Sequence, residues 1–339
     1  MDANPVLAEF TRGNWVENRH RGAFCIADPA GNVVASAGDI EREIFPRSAI
    51  KAIQALPIFA TGALEKFTLD DENLALACAS HHGESDHVRV AANALKKVGL
   101  NVMALECGAH PPTNKAARKA LADAGERPSA LHNNCSGKHA GMLAVAQALG
   151  IDPAGYVKPE HEVQKRVRAA VEAVIGAALT ESKCGTDGCS IPTWAAPLKN
   201  FAQGFARMAT GEGLTPEMAK ASARLFDSAT SHPFLIAGTD AFDTEAMKAF
   251  DGRLMVKLGA EGVFCGALRD KGLGFALKCD DGSLPAATAM IAGLLKAIAE
   301  PDARQAEVLN RFAHQTFKNW CGIEVGFLSA TDAVNISLR

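Results

Sequence analysis

The feature that most constrains this chain is the placement of its strand-like segments at both ends. Near the start, Phe24-Cys25-Ile26-Ala27 and Val33-Val34-Ala35 flank Pro29-Ala30-Gly31-Asn32, a pattern that predicts a hairpin. Apolar runs over 254–258, 263–268 and 274–278 predict adjacent strands near the end, followed by an Asp280-Asp281-Gly282 turn and a helix over 284–299. Between the two groups, apolar residues recur at three- and four-residue steps over 48–59, 86–98, 114–124, 137–149, 160–175 and 215–230, with a kink expected at Pro57. A shorter apolar run over 74–79 reads as a strand. Strands on both sides of a helical block predict one α/β sandwich. The expectation is a single unit over residues 1–339, its sheet formed by about 1–45 and about 250–339 around a helical middle region. No repeat, low-complexity tract or linker divides it.

Composition narrows the function classes. The 339 residues are 48% apolar and 22% charged, enough for a sizeable core. A net charge of −3, with basic runs no longer than pairs such as Lys96-Lys97, argues against nucleic acid as a partner. Residues 1–21 carry Asp2, Glu9, Arg12, Glu17 and Arg19 and so lack the apolar stretch of a secretory signal, which predicts a cytoplasmic protein. No run of uncharged apolar residues is long enough to cross a membrane. Nine cysteines, an odd number, read as reduced thiols, with Cys25, Cys78, Cys107, Cys184, Cys265, Cys279 and Cys321 as core or incidental residues.

The chemistry concentrates in four places. In Arg47-Ser48-Ala49-Ile50-Lys51 a hydroxyl and an amine stand three residues apart, so a helix opening at Ser48 sets Lys51 within reach of the Ser48 oxygen. Lysine activates a serine only when burial or a neighbouring cation depresses its pKa, so the motif predicts a buried cleft. Serine is also a common helix cap, so the motif alone is weak. A second cluster, Cys78-Ala79-Ser80-His81-His82-Gly83-Glu84, follows the 74–79 run; a third is Asn133-Asn134-Cys135-Ser136-Gly137-Lys138-His139-Ala140-Gly141. The third lacks the spacing of a phosphate loop. The fourth, Cys184-Gly185-Thr186-Asp187-Gly188-Cys189-Ser190, joins a thiol and a carboxylate in one turn. Cys135 and Cys189 are soft donors of the kind zinc selects, although no paired C-x-x-C spacing supports a metal over core thiols.

Taken together, Arg47-Ser48-Ala49-Ile50-Lys51, Ala79-Ser80-His81, Asn134-Cys135-Ser136-Gly137-Lys138-His139, Gly185-Thr186-Asp187-Gly188-Cys189 and Lys257-Leu258-Gly259-Ala260 resemble the class 3, rhizobial-type L-asparaginases. The resemblance implies a fold similar to serine β-lactamases and penicillin-binding proteins, a homodimer, and hydrolysis of L-asparagine to L-aspartate and ammonia. It implies two serine–lysine tandems, Ser48 with Lys51 and Ser80 with Lys257. It further implies a zinc ion on Cys135, Lys138 and Cys189, and substrate contacts from Arg47, Ser80, His81 and Asp187. The chain departs from the family pattern in carrying His82 and a short C-terminal tail.

These residues predict a mechanism in which Lys51, kept neutral by desolvation and by the charge of Lys257, takes the Ser48 proton. Ser80 would relay protons, Arg47 would pair with the substrate carboxylate, and backbone N–H groups near Ser48 would stabilise the oxyanion. Two rivals remain at this point: another β-lactamase-like serine amidohydrolase, acting on glutamine or as an acyltransferase, and a zinc-holding scaffold without hydrolytic activity.

Overall fold

A computed structural model describes residues 3–336 and 338. Its strands, in chain order, are β1 (Val6–Arg12), β2 (Trp15–Ala27), β3 (Val33–Ala37), β4 (Glu43–Ile44), β5 (Cys184–Thr186), β6 (Pro192–Trp194), β7 (Ala196–Pro197), β8 (Leu254–Gly259), β9 (Val263–Leu268), β10 (Leu273–Cys279), β11 (His314–Lys318) and β12 (Glu324–Ala330). The main sheet runs β11-β12-β1-β2-β10-β9-β8, with β3 also paired to β2, and every pairing is antiparallel. Both ends of the chain therefore build one sheet, and the α/β class with a helical middle is as the sequence predicts.

Alternation explains which strands sit where. β9 and β10 are almost wholly buried, as strands covered on both faces must be, and their runs of Val, Phe, Ala and Leu match that position. The covering helices are Leu198–Thr210, which packs on β10, β9 and β2, and Leu284–Ile298, which packs on β12, β1, β10 and β9. The first approaches closely because Gly274 has no side chain: a Cβ there would lie 2.0 Å from the Ala202 carbonyl oxygen.

Helices form where caps and periodicity agree. Asn114, Thr215 and Ser283 each accept a backbone N–H three residues on, and helices Lys115–Asp123, Pro216–Ser231 and Leu284–Ile298 begin there. Ser85–Lys97, Ser136–Leu149 and Glu162–Ile175 also lie where the apolar spacing predicts them. Two expectations are corrected. The 74–79 run is not a strand but the body of helix Asp71–Ala77, because Asp70 and Asn73 form a capping box that nucleates it. The helix expected over 48–59 is broken into a 3-10 turn, Arg47–Ile50, and two short helices, Lys51–Gln54 and Pro57–Ala60, because Pro57 has no N–H with which to continue the ladder.

Candidate active site

The site grows from three chain segments that end at one place. Arg47–Ile50 lies against β8, and Gly259 permits the approach: a Cβ there would sit 2.5 Å from the Pro46 oxygen. The segment after helix Asp71–Ala77 is pinned by Ser80 N–H donating to Ile236 O and His81 N–H donating to Asn134 O. Helix Ser136–Leu149 opens at Cys135, whose N–H donates to Asn133 Oδ1. Gly137 lets this helix rest on helix Asp71–Ala77, since a Cβ would meet the Leu76 oxygen at 2.2 Å.

Lys51 is the centre of the arrangement. Its side chain is fully buried, and its Nζ contacts Ser80 Oγ at 2.8 Å, the Ala79 carbonyl at 2.5 Å and Cys135 Sγ at 3.2 Å. Burial pushes its pKa below the usual lysine range; nearby Cys135 opposes that shift and nearby Lys138 adds to it. The sequence expectation is thereby altered in one respect. Lys51 is hydrogen-bonded to Ser80 rather than to Ser48, its Nζ being directed onto the Ala79–Ser80 segment that follows helix Asp71–Ala77.

Lys257 projects from β8 and is also buried. It pairs with Asp243 Oδ2 at 3.5 Å and donates to the Leu258 carbonyl at 2.8 Å; it is not hydrogen-bonded to Ser80. Burial draws its pKa down to about 8, against the pull of Asp243 and with help from Lys51. Asp243 also accepts from Leu258 N–H at 2.8 Å. Sequence reading missed Asp243, although a signal was present: it falls on the apolar face of helix Phe242–Phe250, in step with Ala246, Met247 and Phe250.

The thiol cluster lies on the other side of Lys51. Cys135 and Cys189 are close enough to perturb one another's protonation, and Lys138 Nζ sits 2.9 Å from Cys189 Sγ. The Cys189 contact draws the Cys135 pKa well below the thiol range against the cost of burial, aided by Lys138 and Lys51, while Cys189 keeps its proton. Burial works to lower the Lys138 pKa, and the two sulfurs outweigh it and raise it. Two sulfurs and one amine in one cluster, with a thiolate already favoured, form a donor set that suits zinc once Lys138 gives up its proton to the incoming ion. These residues could hold the ion with a fourth position open.

Asp187 and Cys189 come from the turn between β5 and β6. Asp187 N–H donates to Ile191 O, and Ser190 takes a φ of +79° to close the turn. Asp187 accepts from Arg47 Nε at 2.9 Å, with Arg47 Nη2 at 2.8 Å. Burial alone would raise the Asp187 pKa; Lys138 and Arg47 bring it below the usual value, so it is an anion facing the cluster. His81 differs from its expected role as a substrate contact. Its ring is fully buried, Nδ1 accepts from Gly83 N–H, and Nε2 lies 2.9 Å from Ser136 Oγ, so both nitrogens are occupied in tying two loops together. His82 is half-buried, and burial lowers its pKa while Glu84 and Asp243 oppose the shift.

A separate groove of about 1110 Å³, lined by Leu56, Phe59, Ala169 and Met218 among others, contains none of these groups.

The family described as L-asparaginase II matches residues 8–330 of this chain. The chain belongs to the L-asparaginase II family. Membership makes it an asparaginase-type amidohydrolase with a small-molecule substrate. No curated protein sequence matches this L-asparaginase II family member. Solved structures similar to it include a β-lactamase from Mycobacterium bovis (15% identity, 81% of this chain and 94% of that one, TM-score 0.41). A putative β-lactamase from Bacteroides dorei is 12% identical over 80% of this chain and 92% of that chain, with a TM-score of 0.41. A protein named Mglu, in a tris and glutamate form, is 17% identical over 88% of this chain and 64% of its own, with a TM-score of 0.45. No helix among the described residues is long and apolar enough to cross a membrane.

Proposed function

We propose that this family member hydrolyses the side-chain amide of L-asparagine to L-aspartate and ammonia by a serine–lysine route. The observation that carries this reading is Lys51, a fully buried amine with a depressed pKa, 2.8 Å from one serine oxygen and three residues from a second serine. Neutral Lys51 takes the Ser48 proton as the Ser48 oxygen bonds to the amide carbon. The C–N bond breaks and ammonia leaves with a proton relayed through Ser80. Water then attacks the ester carbon, aspartate departs, and Ser48 regains its proton.

Recognition follows from charge. Asp187 suits the α-ammonium of the substrate, and Arg47 keeps N–H donors beyond those used on Asp187 for the α-carboxylate. Cys135, Lys138 and Cys189 would hold a zinc ion, whose positive charge would orient the polar end of the substrate. We assign the protein to the cytoplasm, as a homodimer; sedimentation velocity tests the second point.

The Lys51–Ser80 hydrogen bond favours a second reading, in which Ser80 is the attacking hydroxyl. Ammonia release from asparagine, with glutamine in parallel, decides between them. Loss of all but a trace of turnover in Ser48→Ala, with a slowed but active Ser80→Ala, is expected; the reverse pattern assigns the attack to Ser80. Release from glutamine alone, or from neither amide, would sink the asparaginase proposal.

A further inference from the structure

Away from this site, the β2–β10 pairing assembles three metal-ligating side chains on the rim of the sheet. Cys279 faces Gly22 across the ladder, and Asp280 N–H donates to Arg21 O at 2.9 Å, so continuing the antiparallel register sets His20 opposite Asp281. Cys279 and Asp281 are two residues apart and so point to the same side as their cross-strand neighbour. His20 Nδ1 lies 2.7 Å from Asp281 Oδ2, and the Cys279 thiol donates to Asp281 Oδ1 at 3.0 Å. One ligand atom from each residue lies within 4.8 Å of the others, the only such group of His, Cys, Asp and Glu among the described residues.

We propose that His20, Cys279 and Asp281 form a metal site of their own, taking a zinc-like divalent cation with three protein ligands and an open fourth position. Imidazole, thiolate and carboxylate are the donors zinc accepts. Two protons, on the His20 nitrogen and the Cys279 sulfur, converge on one carboxylate and occupy the space a cation would take. On binding, the thiol proton leaves to solvent, the sulfur bonds to the metal, and His20 carries its proton on Nε2.

The surroundings fix the donors: Asp281 Oδ1 also accepts from Ser283 N–H at 3.0 Å, and its Oδ2 faces His20. Cys279 is fully buried, and the bare backbone of Gly262 packs against its Cβ, so its thiol is held toward Asp281. Neighbouring Asp280 is engaged by Asn4 and Arg42, and Lys278 is turned onto the Glu261 carbonyl at 2.6 Å, which leaves Asp281 as the carboxylate of the group. His20 and Asp281 are partly open to solvent, giving the ion a way in.

The test counts zinc bound per chain after dialysis of the full-length protein against excess zinc sulfate, for the unaltered protein and for His20→Ala and Cys279→Ala. The expected result is one equivalent fewer in each variant. Two equivalents falling to one supports both this site and the Cys135–Lys138–Cys189 site; one falling to none supports this site and removes the other. An equal count in the unaltered protein and His20→Ala, or no zinc in either, overturns the proposal. Because buried Cys279 could be needed for folding, the partly exposed His20 variant decides if Cys279→Ala fails to fold. Cobalt substitution gives an independent reading: the thiolate-to-cobalt absorption should lose a component in Cys279→Ala.

Discussion

Arg47 holds a φ of +51°, a left-handed conformation that costs a non-glycine residue on the order of 1 kcal/mol, in the position directly before Ser48. Its pairing with Asp187 offsets that strain, so Arg47→Gly should keep folding stability within about 1 kcal/mol while raising KM for asparagine by about 10-fold or more. Thermal unfolding and steady-state kinetics on the same preparation check both halves. Lys257 carries a pH signature. Its folded pKa of about 8 lies below the ordinary lysine value of 10.5, so between those values the unfolded chain binds more protons and stability rises with pH. Denaturant titrations from pH 7 to 10.5 should show that rise, flattened in Lys257→Met; a rise equally steep in the variant refutes the assignment. The sequence revealed which serines, lysines and thiols to inspect, because polar clusters interrupt apolar runs. It did not reveal that Lys51 meets Ser80, since that contact joins a helix start to a loop 29 residues further along the chain.

At the scale of elements, the site depends on two helix starts and one turn held in close contact. Gly137→Ala would drive a methyl into the Leu76 carbonyl, which should cost about 3 kcal/mol of stability and lower the melting temperature by several degrees. The β5–β6 turn delivers both Asp187 and Cys189, so Cys189→Ala should lose the zinc equivalent assigned to the thiol cluster and reduce activity by about 10- to 100-fold. Metal analysis paired with asparagine kinetics checks this; full activity without that zinc would show that the ion is dispensable. Long capped helices such as Glu162–Ile175 were legible because periodicity and termini agree. The 74–79 run was not, since six apolar residues have no period of their own and only Asp70 and Asn73 decide that they coil.

For the molecule as a whole, the decisive pairing is β1 with β12, where Ala8 lies opposite Ala330. The sequence predicted strands at both ends but not this order, because β1, β11 and β12 alternate too weakly to stand out and no local signal specifies a partner more than 300 residues away. Ending the chain at residue 313 would remove β11 and β12, uncover the edge of β1 and expose the face of Leu284–Ile298 that packs on β12. That variant should be largely insoluble and release no ammonia; a soluble, active product would show that the outer strands are dispensable. Timing during synthesis follows from the same pairing. At about 5–20 residues per second, the ribosome needs roughly 15–60 s to travel from the end of β1 to the start of β12. Through that interval the outer edge of β1 is a half-made ladder, and a chaperone that shields strand edges would have its longest opportunity there.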